Sequence, residues 1–234
     1  MFMGQVKFSG LVTGIKGKIG GTVFQSGKTG YTAKNNSGVN RKGVVGKGGV
    51  ARMKQRIQVN TLATFWGSLS VEEREAWQNE AVNYTFYNRF GDPYTPSGYQ
   101  LFMSLNLNLI AVEEAPKPSP EKKGEIFPIT AFSVVNKSIS EFKVTWAAPA
   151  QSKFAIIISG TPQRRVGKGI AGQSFGKITS ILSNVSRPQD ITNAMIEKYS
   201  QLQIGAEIWL KVEVVNTETG QRSAPFYTQV ILDA

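Results

Sequence analysis

A chain of 234 residues, 41% of them apolar, is long enough for one large or two ordinary domains around a packed core. It carries 27 Lys and Arg against 16 Asp and Glu, a net charge of +11, and it has no histidine and no cysteine. Those absences exclude Ser-His-Asp and Cys-His nucleophile systems, disulfides and the usual zinc constellations, and the acids are scattered, so no enzyme, cofactor or metal site is expected. No window approaches the roughly 18 uninterrupted apolar residues of a spanning helix, and Met1 to Gly10 has Lys7 but no apolar core of a signal peptide. Neither membrane insertion nor export is therefore expected.

The excess charge sits in the first quarter. Eleven Lys and Arg fall between Lys7 and Arg56, no acid precedes Glu72, and the remaining cations balance the acids. Thirteen of the 24 glycines precede residue 50. A segment so rich in glycine and poor in apolar clusters cannot offset its conformational entropy with a core of its own. Residues 1–49 read as a basic arm of short extended pieces with glycine hinges, Val6 and Phe8, Leu11-Val12, Ile15, Ile19, Val23-Phe24 and Tyr31. We expect hairpins or single strands laid on a neighbouring subunit, while composition alone equally describes a disordered basic tail. The residues expected to meet a partner are Phe8, Lys16, Lys18, Phe24, Lys28, Lys34, Arg41, Lys42, Lys47, Arg52, Lys54 and Arg56.

Residues 50–112 follow a helical period. The first helix, about Val50 to Trp66, carries two apolar stripes, Met53/Ile57 and Val59/Leu62/Trp66, which predicts cover on both sides. Ser70-Val71-Glu72-Glu73 is a capping box that starts a second helix with Trp77, Ala81 and Tyr84 on its inner face. Ser97 with Gln100 starts a third, which repeats Leu101, Leu105 and Leu109 beside Phe102. The tryptophans Trp66 and Trp77 are most simply core residues of this three-helix block.

Pro116, Pro118 and Pro120, with Glu121, Lys122 and Lys123, describe a semi-rigid linker over 113–127. From 128 to 234 the period becomes two. Phe132/Val134, Phe142/Val144/Trp146, Ala155 to Ile158, Ile208/Leu210/Val212/Val214 and Phe226 to Leu232 predict strands of an antiparallel two-sheet sandwich, with a turn at Asn216 to Gly220 and a short helix at Ile191 to Tyr199. The fold class is therefore α+β and multidomain: basic β arm, three-helix block, linker and sandwich.

Two motifs invite a nucleotide. Gly21 to Thr29 resembles a phosphate loop, but five residues separate Gly21 from Gly27 where four are needed, and no helix follows. Gly167, Gly169 and Gly172 match a dinucleotide fingerprint, but the following Ser174 to Ser180 is polar and β-like rather than helical, so a flexible basic loop with Arg164, Arg165 and Lys168 is the reading.

Trp66, Leu69-Ser70, Arg74 and Trp77, after a Gly/Lys arm and before Asn88 to Gly91, Ser97-Gly98-Tyr99, Phe102 and Asn106, resemble structural proteins of tailed phages that infect Bacteroidota, including crAss-like phages. The order of segments agrees along the whole chain, and the motif agreement, W-x-x-L-S-x-x-x-R-x-x-W, lies in the helical block. The resemblance implies a non-enzymatic virion protein with a C-terminal domain like fibronectin type III, synthesised in the host cytoplasm. It implies a capsid-associated, decoration or head-tail component, with capsid, portal or tail subunits as partners and homo-oligomerisation expected. Contact of the arm with packaged DNA, a nucleic-acid-binding protein whose arm neutralises phosphates, and a bacterial surface adhesion module are the other functions weighed. The arm's aromatics interleave poorly with its cations, and no helix-turn-helix, finger or RNA-binding pattern appears.

Overall fold

The computed structural model describes residues 3–6, 14–19, 22–27, 30–35, 49–138, 140–147, 151–167, 169–170 and 174–233, with backbone alone at 3–6, 35 and 49–52. The chain divides into two compact units, Met1–Met103 and Ser104–Ala234.

In the first unit, β1 (Met3–Val6), β2 (Gly17–Ile19), β3 (Thr22–Gly27) and β4 (Gly30–Asn35) form one antiparallel sheet in the order β1-β4-β3-β2. The β2–β3 and β3–β4 pairs are antiparallel neighbours in sequence, the hairpin arrangement that is one of the two expected of the arm. Consecutive β2, β3 and β4 pair across short connections, which cost little entropy to close, whereas β1 pairs with β4 across a longer stretch of sequence. Gly30, at φ +103°, supplies the left-handed conformation that turns β3 into β4. Among the described residues, β1 and β2 are the outer strands of this sheet.

The helical block follows, with α1 (Gly49–Ser68), α2 (Val71–Glu80), a 3-10 turn at Ala81–Asn83, the small hairpin β5 (Phe86–Tyr87) and β6 (Pro93–Tyr94), and α3 (Gly98–Ala111). Both expected caps form. Glu73 N–H donates to Ser70 Oγ at 3.2 Å and Ser70 N–H to Glu73 Oε2 at 2.8 Å; Gln100 N–H donates to Ser97 Oγ at 3.2 Å and Ser97 N–H to Gln100 Oε1 at 2.9 Å. The tryptophan string is a corner: Leu69 is buried in it, and Arg74 Nη2 donates at 2.8 Å to the carbonyl of Gly67, an acceptor left over at the end of α1. Phe102 lies among the rings of Trp77, perpendicular at 5.4 Å, Trp66 at 5.1 Å and Phe65 at 5.9 Å. Trp77, Ala81 and Tyr84 are buried as the inner face expected of them, and burial beside the Glu80 carboxylate pushes the Tyr84 hydroxyl up to about 12. Gly98 allows the start of α3 to touch α2: a Cβ there would lie 2.8 Å from Gln78 N.

Cover on both sides of α1 is not what the chain provides. Leu62 is buried and Trp66 half-buried, but Met53 is 63% and Ile57 54% exposed. The ring contacts of α1 with the other helices are made near its end, by Phe65 and Trp66 on Tyr99 and Phe102, and Val59, one turn and more before them, is exposed as well.

The second unit contains β7 (Ala131–Lys137), β8 (Phe142–Ala147), β9 (Phe154–Gly160), β10 (Gly176–Leu182), β11 (Gln189–Asp190), α4 (Thr192–Tyr199), β12 (Glu207–Asn216) and β13 (Phe226–Ile231). The strands form two antiparallel sheets, β10-β9-β12-β13 and β11-β8-β7. Alternate residues of both sheets enter one core: Phe132, Phe142, Val144 and Trp146 from one, Ile156, Ile158, Ile208, Leu210, Val212 and Val214 from the other, with Met195 of α4 beside them. This is the sandwich expected from the two-residue period.

The opposite face of the four-stranded sheet is covered as well. Ala155, Ile157 and Val215 point away from the sandwich core yet are buried. Residues 104–111 of α3 belong to this unit, and Lys177 Nζ on β10 donates to the Ala111 carbonyl at 2.6 Å. Asn108 Nδ2 donates to the Gly220 carbonyl at 2.9 Å. Buried Asn106 accepts the Lys117 N–H at 2.6 Å, and Gly124 N–H donates to Gln221 Oε1 at 2.8 Å. The proline-rich segment is therefore fastened at two points to its own unit.

Candidate functional site

The register of the arm sheet fixes which residues share a face. Lys18 stands opposite Val23, and Val23 opposite Lys34, so both ammonium groups lie on one face, two strand spacings or about 10 Å apart. The other face carries Ile19, Phe24, Ala33 and Tyr31. None of these four is buried, and Ile19 is exposed. The ring end of Tyr31 is covered by Gly14, where a Cβ would clash with it. One face of the sheet thus carries both lysines, with Val23 and Thr32, and the other carries Ile19, Phe24, Ala33 and Tyr31 with Thr22 and Ser26.

The residues singled out in the sequence are distributed as follows. Lys18 and Lys34 come together, Phe24 lies on the reverse face, and Lys16 is exposed just before β2. Lys54 and Arg56 are exposed on α1, two residues and hence about 200° apart around the helix, so they do not form one patch. Arg52 is on α1 but described in backbone only, and Phe8, Lys28, Arg41, Lys42 and Lys47 lie outside the described residues.

Neither glycine motif has nucleotide-binding geometry. In the first, Thr22–Gly27 is β3, which pairs with β4 instead of leading into a helix, and Gly21, Lys28 and Thr29 lie outside the described residues. Gly167 leads towards β10, not a helix, and Lys168 and Gly172 lie outside the described residues. The Gly167 N–H instead donates at 2.7 Å to Glu207 Oε2.

Glu207 is the most deeply buried carboxylate among the described residues, and sequence reasoning missed it because it occupies a polar position of an alternating strand. Trp209 Nε1 donates to it at 2.6 Å, and Arg164 Nη2 lies 3.3 Å away, itself only 13% exposed. Desolvation by burial raises its pKa, but the hydrogen bonds from Gly167, Trp209 and Gln229 and the charge of Arg164 outweigh that and hold it below the ordinary carboxylate range. A depressed folded-state pKa contributes stability that is present above the ordinary carboxylate range and lost as pH falls through the folded value. Acidification should therefore free the Gly167 N–H, and Glu207→Gln should weaken its hold at neutral pH, while the backbone bonds between Arg164 and Glu207 keep residues 161–164 in place; amide hydrogen exchange at Gly167 reads both.

A concavity of about 930 Å³ lies in the second unit between the proline-rich segment and the Asn216–Thr219 turn. Lys117, Lys122 and Lys153 line it with Glu121, Glu125 and Glu218, so its formal charges cancel. No group of three or more Asp or Glu able to hold a metal occurs among the described residues, and no helix among them is long and apolar enough to cross a membrane.

No protein-family model matches the chain, and no curated protein matches it. Among solved structures, a computationally redesigned β-sandwich protein is 15% identical, with a TM-score of 0.31, over 47% of this chain and 93% of that one. The fibronectin type III domain of the human collagen α-1(XX) chain is 14% identical, with a TM-score of 0.28, over 49% of this chain and 91% of that one.

Proposed function

We propose that the chain is a non-enzymatic structural protein of a tailed-phage virion, capsid-associated, decorating or at the head-tail junction, and homo-oligomeric. In this reading the arm docks among capsid, portal or tail subunits and the sandwich is displayed. The observation that carries it is the arm sheet, whose two faces differ. A surface built to neutralise phosphates needs cations, whereas one face of this sheet carries no Lys or Arg among its described side chains and leaves Ile19 exposed and Phe24 half-buried, apolar area that a protein surface would bury favourably. The Trp66 to Trp77 corner adds the phage resemblance of the sequence. The finer fold assignment belongs to the same proposal: with β7, β8, β9, β10, β11, β12 and β13 as A, B, C, C′, E, F and G, the sheets are A-B-E and C′-C-F-G, a Greek-key sandwich of the fibronectin type III kind.

The test is particle incorporation of Phe8→Ser with Phe24→Ser, which removes apolar contacts and leaves every arm charge in place. Loss of the chain from purified particles is expected. Normal occupancy, together with duplex-DNA binding whose log K falls with log salt by about 0.9 per phosphate contacted, would overturn the reading in favour of a nucleic-acid-binding arm.

A further inference from the structure

The helical block leaves two faces of opposite charge exposed. On α1, Met53 and Ile57 are 63% and 54% exposed. Four residues apart, they form one stripe, with Lys54 and Arg56 about 80° to either side of its centre. Both cations are exposed, and the 20 residues of α1 include no Asp or Glu. This face is therefore apolar in the middle and cationic along both sides.

The first acids of the chain stand on α2. Glu73 is held in the cap with Ser70, and Glu80 accepts from Asn83 at 3.0 Å. Glu72 and Glu75 are exposed beside Val71, which is itself 65% exposed. Arg74, on the other side of Val71, is turned back onto the Gly67 carbonyl, which leaves this face acidic. None of Lys54, Arg56, Glu72 and Glu75 has an ion pair among the described residues.

We propose that the α1 face of one copy docks on the α2 face of a second copy, with Met53 and Ile57 over Val71 and with Lys54 and Arg56 paired to Glu72 and Glu75. Charge and exposure together select this partner. Both faces are open in one copy, so their match is unused within the chain. Pairing α1 with α1 would set cations against cations, with no acid on either helix to separate them. A phosphate backbone would answer Lys54 and Arg56 but leave Met53 and Ile57 in water, whereas contact with Val71 removes apolar area from solvent on both sides. The two faces are different patches, so each copy gives one and receives the other.

This interface rests on the homo-oligomeric part of the proposed function and not on a virion location. The test is sedimentation equilibrium of the full chain. Lys54→Glu with Arg56→Glu makes both faces acidic, and Glu72→Lys with Glu75→Lys makes both basic. Each variant alone should associate about tenfold more weakly than the unsubstituted chain, through two lost ion pairs. An equimolar mixture of the two should recover the association, because each chain supplies the charge that the other has lost. Recovery on mixing also separates a broken contact from a weakened start of α2, which the loss of first-turn acids would cause and mixing would not repair. Ile57→Ser keeps every charge and should likewise weaken association about tenfold. A chain that stays monomeric at every concentration overturns both this interface and the homo-oligomeric reading. Oligomers that these substitutions leave unchanged, or a mixture as weak as its components, overturn the interface and leave that reading standing. Duplex-DNA binding lost in Lys54→Glu with Arg56→Glu while the oligomers persist would give α1 to nucleic acid and overturn the interface in the same way.

Discussion

Gly220→Ala lowers the stability of the sandwich by about 2–5 kcal/mol, combining the cost of a left-handed alanine with that of an overpacked contact. Gly220 has φ +73° at the end of the Asn216–Thr219 turn. Its α-carbon faces the backbone of α3: an added Cβ would fall onto the Leu105 carbonyl oxygen and within 2.9 Å of the carbonyl carbon. Neither atom can move without disturbing a helical hydrogen bond. Displacing the turn would also break the 2.9 Å bond from Asn108 to the Gly220 carbonyl and the 2.8 Å bond from Gly220 N–H to Asn216. A denaturant titration of the full chain followed by circular dichroism checks this, with Gly91→Ala as the control. Gly91 also has positive φ, +83°, but nothing lies near its Cβ position, so it should lose only the conformational part of the effect.

Trp77→Ala should cost about 3–5 kcal/mol, the range for removing a large aromatic from a core. The indole is 2% exposed and perpendicular to Phe102 at 5.4 Å. Its removal leaves a cavity at the centre of a block with few other large buried side chains, Leu62, Leu101 and Phe102 among them. Trp77→Phe retains most of the apolar volume and should recover more than half of the loss. A thermal melt of Trp77→Ala matching that of the unsubstituted chain would mean that the ring is not packed as described.

The parts of the fold that were legible in the sequence depend on neighbours within four residues or on strict periodicity. Ser70 with Glu73 and Ser97 with Gln100 form their caps because each needs only its own turn of helix. Phe142, Val144 and Trp146 enter the core because a strand has two faces and these residues share one. What stayed hidden depends on distant partners. Asn106 reads as an exposed helical polar residue until Lys117 folds back on it, and Gly220 reads as an ordinary turn glycine until α3 lies against it. The stripe Met53/Ile57 shows the complementary failure: period identifies an apolar face and cannot name what covers it. At the candidate site, the charge of the arm was legible, but the placing of Lys18 and Lys34 on one face and Ile19 and Phe24 on the other follows from strand register, which the glycine-rich sequence leaves open.

The buried carboxylate of Glu207 also makes the sandwich usable as a display scaffold. It anchors the chain leaving β9 through Arg164 and the Gly167 N–H, and Phe175, packed at 5.7 Å against Tyr227, anchors the chain again just before β10. A peptide epitope or fluorophore-binding tag grafted between Ile170 and Ser174 would start and finish at these two fixed points. Labels placed there would be carried between two anchored ends, and because the entropy of closing a loop grows slowly with its length, a long insert should cost the sandwich little stability.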